Sequence, residues 1–213
     1  VSQLEDDELS AIRGMRIGVA KEYFIDGMEP GVEKQVRAAM KTLESLGAQL
    51  VDISLPHTRY ALATYYILAL AEASSNLSRY DGVRYGLRSA SAKTLRELYE
   101  VSRAEGFGKE VKKRILLGTH VLSTGYFEAF YTKAQQVRSL IIQDFEKVFE
   151  KDCDAIIAPT APTTAFQIGE HRSSALQMYL EDVFTVPINL AGLPAISIPC
   201  GLDEKNLPVG MQI

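Results

Sequence analysis

Apolar positions recur along the chain with two periods, and the change from one to the other marks out the elements. Met15 to Ala20, MRIGVA, is an apolar run of strand length that follows Gly14, with turn residues arriving at Asp26-Gly27. Val32, Val36, Met40, Leu43 and Leu46 then recur at steps of three or four, which places them on one helical face, and Gly47 stands where a left-handed cap belongs. Leu50 to Leu55, LVDISL, alternates apolar and polar side chains before Pro56 and predicts a second strand. A strand, a helix and a strand joined this closely predict a parallel pair with a right-handed crossover.

From Arg59 to about Ser78 the pattern predicts a helix that is apolar nearly all round and therefore buried, and RYDGVRYG, Arg79 to Gly86, breaks it. Two further helices are expected over Thr94–Ala104 and Lys109–Ser123, with Gly106 and Gly108 as a hinge between them. Phe127, Phe130, Tyr131, Ala134, Val137, Ile141, Phe145 and Val148 form one long apolar stripe, which predicts the longest helix. Asp154 to Pro159, DAIIAP, reads as a buried strand and Leu176–Thr185 as a helix. Val186–Ala191 reads as a turn beginning near Pro187 and ending at Gly192, and Pro194–Cys200 and Pro208–Ile213 as strands. A sheet that ended on so apolar a strand would leave a bare edge, so the chain reads as truncated at both ends. The expected division is a linker over residues 1–13 and a portion of a larger domain over 14–213. Its fold class is α/β, a mixed, largely parallel sheet flanked by helices.

Composition narrows the function classes. At 213 residues, 46% apolar and 23% charged, the chain has the balance of a folded domain, and 27 acidic against 23 basic residues argue against a basic polyanion binder. Ala61 to Ala71, the longest apolar run, is far short of the ~20 residues that span a bilayer, so no membrane association is expected. Cys153 and Cys200 form neither a CxxC pair nor a disulfide framework and read as reduced thiols, which points to a cytoplasmic setting.

Several motifs fail. GxSxG, GxxxxGK, HExxH and an EF-hand loop are absent, and Gly106-Phe107-Gly108 lacks the third glycine and the preceding strand of a dinucleotide fingerprint. His57, His120 and His171 share no helix with a carboxylate or cysteine at ligand spacing, so they read as surface or packing histidines and no metal site is expected. Cys200, at the end of an apolar strand, reads as a small core residue and not as a nucleophile paired with His120. Asn76-Leu77-Ser78 is read as a chance match to a glycosylation acceptor.

Four segments carry a resemblance. DVFTVPINLAGLPAISIPCG, Asp182 to Gly201, resembles the C-terminal part of the amidase signature family. EASSNLSRYDGVRYG from Glu72, GFGKEVKKRILLGTHVLSTGYFEAFY from Gly106 and DAIIAPTAPTTAF from Asp154 narrow the resemblance to the A subunits of glutamyl-tRNA(Gln) amidotransferases. It implies a protein that splits glutamine, and ammonia that passes to a partner protein where ATP and Mg serve to activate a glutamate on Glu-tRNA(Gln). The implied partners are glutamine, the B and C subunits of the amidotransferase complex, and the tRNA through the complex, with no cofactor in this chain. The family's Ser, cis-Ser and Lys triad lies in segments with no counterpart here. Catalytic residues are therefore expected to be absent, and the chain alone inactive.

By motif position the resemblance implies that Arg114 holds the glutamine carboxylate, that Asp182 engages the amino group, and that Tyr65 lines the pocket. A guanidinium fork suits a carboxylate and an aspartate suits an ammonium, so a free amino acid would be selected. Without the resemblance, Lys112-Lys113-Arg114 reads as a solvated helix face, Asp182 as a polar residue near a helix end and Tyr65 as a core aromatic. Two alternatives stay open: an amidase of a small or apolar amide, and a non-catalytic binding scaffold.

Overall fold

The computed structural model describes residues 11–168 and 180–213, and these divide into two compact units. Unit 1 takes the described residues of Val1–Leu62 and Val137–Ile213, and unit 2 is Ala63–Gln136.

In unit 1 the first apolar run forms β1 (Arg16–Ala20), the periodic segment forms α1 (Pro30–Ser45), and the alternating segment forms β2 (Gln49–Ile53). Pro30 opens α1, where a missing N–H costs nothing, and the face carrying Val32, Val36 and Met40 is buried. Gly47, at φ +102°, closes the helix with its N–H on the Glu44 carbonyl, while Ala48 bonds back to Leu43. β1 and β2 are parallel, as the short connection predicts. The later elements of the unit are most of α5 (Lys133–Lys151), β3 (Ala155–Pro159), α6 (Val186–Ala191), β4 (Ser197–Leu202) and β5 (Pro208–Gln212).

The five strands lie in the order β2-β1-β3-β5-β4. β1 is parallel to both β2 and β3, whereas β5 is antiparallel to both β3 and β4. The mixed sheet of the α/β class is thus present, with its pairings split evenly between the two senses. Right-handed crossovers leaving β1 in one direction and returning past it in the other place α1 and α5 on opposite faces. Val32, Val36, Ile141, Phe145, Ile157, Val209 and Met211 fill the core between these layers.

Three particulars depart from the sequence reading. Val186–Ala191 is a short helix, not a turn; Pro187 sits in its first turn, and Gly192 at φ +73° stops it. β5 is an inner strand between β3 and β4, so it is not the bare edge expected from its apolar sequence, and the outer strands of this sheet are β2 and β4. The segment expected to be helical over 176–185 lies partly outside the described residues, and 181–185 form turns.

Unit 2 holds most of α2 (Ala61–Asn76), then α3 (Leu95–Gly106), α4 (Lys109–Val121) and a π-helical turn at Phe127–Thr132. The long stripe from Phe127 is therefore not one uniform helix: its first six residues are wound wider before α5 begins. Thr94 caps α3 by accepting the Glu97 N–H. Between α2 and α3 the loop is pinned by Arg103, whose guanidinium donates to the Leu77 and Tyr80 carbonyls and lies over the Phe107 ring. Among the described residues no helix is long and apolar enough to cross a membrane.

Candidate functional site

Arg114 and Tyr65 come from segments nearly fifty residues apart and meet in unit 2. Arg114 lies in the middle of α4, and its neighbours Lys112 and Lys113 are exposed, while its own side chain is only 40% exposed. The two lysines are thus solvated, and the arginine is half-buried. Its Nε donates to Glu110 Oε1 at 3.1 Å, one turn earlier on the same helix. On the other side lies Tyr65 of α2, near enough to the guanidinium to act on it electrostatically. The Glu110 bond and the Tyr65 oxygen both hold the guanidinium in its charged form, raising its pKa above the ordinary arginine value against the opposing effect of desolvation. Tyr65 is itself half-buried and packs edge-on against Tyr66, with ring centroids 5.3 Å apart.

Glu110 occupies only the Nε edge of the fork. A guanidinium carries five N–H donors, so its outer edge can still grip a carboxylate through two parallel bonds. The tyrosine hydroxyl gives the same place a neutral polar wall.

Asp182 belongs to unit 1, where it is exposed in the turn that leads into α6. Its carbonyl accepts the N–H groups of Thr185 and Val186 and the Thr185 hydroxyl, so its main chain is tied into the start of the helix. That arrangement fixes the backbone and leaves the carboxylate to solvent or to a ligand.

Glu110 is the neighbour of Arg114 that sequence reasoning passed over, although its position four residues before Arg114 was a legible signal. Cys153, Cys200 and His57 behave as packing groups, and His171 lies outside the described residues. Cys153 is buried with its thiol on the Val148 carbonyl, and burial raises the pKa of both Cys153 and Cys200, which disfavours a thiolate at either. His57 is held by Asp144. An apolar cavity of about 460 Å³ in unit 1, lined by Tyr23, Phe145, Phe149, Ile188 and Leu193 among others, contains none of the residues expected to bind substrate.

The family model described as amidase matches residues 1–213. The chain belongs to the amidase family. Among similar proteins, the A subunit of the glutamyl-tRNA(Gln) amidotransferase of Thermodesulfovibrio yellowstonii is 62% identical to this amidase chain over 202 residues, 95% of this chain and 41% of that protein. That of Listeria welshimeri is 59% identical over 213 residues, all of this chain and 44% of that protein. The crystal structure of the glutamyl-tRNA(Gln) amidotransferase A subunit from Thermotoga maritima is similar with a TM-score of 0.69 at 42% identity, covering 94% of this chain and 38% of that one. A solved amidase with a TM-score of 0.70 and 21% identity shares the fold. This amidase chain therefore spans less than half the length of the curated relatives it matches. The family expected from the four motif segments is the family found.

Proposed function

We propose that this chain is the later part of the A subunit of a glutamyl-tRNA(Gln) amidotransferase and supplies the wall that recognises free glutamine. The observation that carries the reading is identity of 54–62% with A subunits, sustained along 95–100% of the chain. The Arg114–Tyr65 pair adds physical support, because a charged fork beside a neutral hydroxyl suits an α-carboxylate, and an apolar amide would give Arg114 no partner.

In this reading Arg114 of unit 2 takes the α-carboxylate of glutamine, and Asp182 of unit 1 keeps the role of ammonium contact that its motif position implies. The serine nucleophile and its partners belong to parts of the whole protein that precede this chain's matched segments. Attack there breaks the amide C–N bond and releases ammonia, and water then frees glutamate from the acyl-enzyme ester. The residues of this chain bind and orient; they do not react. Ammonia passes to the B subunit, with the C subunit completing a cytoplasmic complex, and ATP and Mg act on Glu-tRNA(Gln) in the partner and not in this chain.

The test is glutaminase activity of the intact protein in its complex with Arg114→Lys. Lysine keeps the charge and loses the fork, so KM for glutamine should rise by about tenfold or more with kcat little changed. An unchanged KM would overturn the assignment of Arg114.

A further inference from the structure

The contact between α2 and α4 within unit 2 is made at the level of the backbone. Gly118 is buried, and a Cβ built on it would run into the carbonyl of Leu70 and come within 2.7 Å of the Ser74 Cβ. The obstacle is peptide and not the end of a flexible side chain, so α2 could not yield locally without disturbing its own hydrogen-bond ladder. Beside this point Ser74 Oγ and Thr119 Oγ1 are hydrogen-bonded at 2.9 Å, and Thr119 also donates to the Ile115 carbonyl. The two helices are therefore closest at Gly118. Arg114 stands one turn back along α4 from that point, and Tyr65 a little over one turn back along α2 from Leu70.

Interaxial distance between packed helices is set by the side chains at the point of contact. With no side chain at Gly118, α2 and α4 approach to backbone contact, and Tyr65 and Arg114, each about one turn from that contact, lie near enough to interact electrostatically. We propose that Gly118 is a positioning residue for glutamine recognition: its missing side chain sets the α2–α4 separation, and with it the place where Arg114 and Tyr65 present their polar atoms to the α-carboxylate. The proposal rests on the reading of Arg114 as the carboxylate contact. A methyl group at position 118 would move α4 outward, and a two-pronged bond to a carboxylate tolerates such a displacement poorly, since a misplacement of about 1 Å can cost two orders of magnitude.

The experiment compares two substrates in the intact protein within its complex: glutamine, and 4-aminobutanamide, which is glutamine without its α-carboxylate. In Gly118→Ala, KM for glutamine should rise by about tenfold or more with kcat within about threefold, while kcat/KM for 4-aminobutanamide stays within about threefold. An equal loss with both substrates would show a merely structural role and overturn the proposal, as would an unchanged glutamine KM. Should Gly118→Ala fail to fold, Ser74→Val wedges the same crossing from the α2 side at a half-buried position. It should raise the glutamine KM by about threefold or more and spare 4-aminobutanamide, and no change there overturns the proposal. Thr119→Val removes the neighbouring hydrogen bond without adding an atom against Leu70, and should leave the glutamine KM within about threefold. A rise there matching that of Gly118→Ala would mean that interface strength and not spacing matters. Arg114→Lys measured alongside separates the two levels: if it leaves the glutamine KM unchanged, the reading of the site fails, whereas a response to Arg114→Lys without one to Gly118→Ala sinks only the positioning role.

Discussion

Asp144 of α5 holds His57 at two points at once: the carboxylate accepts the His57 main-chain N–H at 2.8 Å, and both of its oxygens lie 3.0 Å from the ring Nδ1. Asp144 is only 5% exposed, so the histidine supplies the partners that make a buried carboxylate tolerable. The segment leading into α2 is thereby tied to the core of unit 1. Asp144→Ala should cost about 2–3 kcal/mol, because it leaves an N–H and a ring nitrogen without their acceptor. Asp144→Asn keeps an acceptor for the main chain and should cost less. Urea midpoints of the two variants check the order, and an alanine variant as stable as the parent would refute it.

Gly18 of β1 faces Cys153, and a Cβ at position 18 would lie 2.9 Å from the thiol sulfur and 2.7 Å from Ile53 Cδ1. Gly18→Ala should therefore destabilise the protein by about 1–3 kcal/mol through overpacking. Cys153→Ala removes the sulfur and should cost stability alone, yet recover part of the loss when combined with Gly18→Ala. Strict additivity in this double-mutant cycle would argue against the contact.

Acid should unfold unit 1 partly through Asp154 and Asp203. The Arg16 guanidinium and main-chain N–H hold the Asp154 carboxyl below its usual pKa, and the Leu207 main-chain N–H, together with Thr164 and Lys205, does the same for Asp203. A carboxylate with a lowered folded pKa stabilises fully above its unfolded value of about 3.9 and loses that contribution as the pH falls through the folded value. Stability should thus decline most steeply below about pH 4, and Asp154→Asn should flatten the decline. The same slope in parent and variant would contradict this.

If glutamine binds as proposed, Asp182 and Tyr65 should differ in what they discriminate. Asp182→Asn should weaken selection for a free ammonium, so that N-acetylglutamine and glutamine come closer in kcat/KM. Tyr65→Phe removes one neutral hydroxyl and should raise the glutamine KM by only about tenfold or less. A larger effect of Tyr65→Phe than of Arg114→Lys would reverse the assigned hierarchy.

What was legible in the sequence follows from which forces act locally. Periodicity located α1, β1, β2 and β3 to within a residue or two, because burial of one face is written directly into the order of side chains. Pro187 misled the reading of residues 186–191, since a proline is as much at home in a first helical turn as in a β-turn. The inner place of β5 was invisible, for no feature of PVGMQI says which strand will lie beside it. The proposed roles of Arg114 and Tyr65 come from motif resemblance. That of Gly118 could not, because its partner is the main chain of Leu70, and a main-chain contact leaves no mark in the partner's side chains.

The strand order also imposes a schedule on synthesis. β1 finds β2 within a few dozen residues, but its other neighbour, β3, follows only after the whole of unit 2 has been made. At a translation rate of about 5–20 residues per second, the roughly 130 residues between β1 and β3 leave one side of β1 unpaired for about 7–27 s. A nascent chain in that interval offers an open ladder to any passing strand, and unit 1 is complete only when a late segment reaches back to an early one.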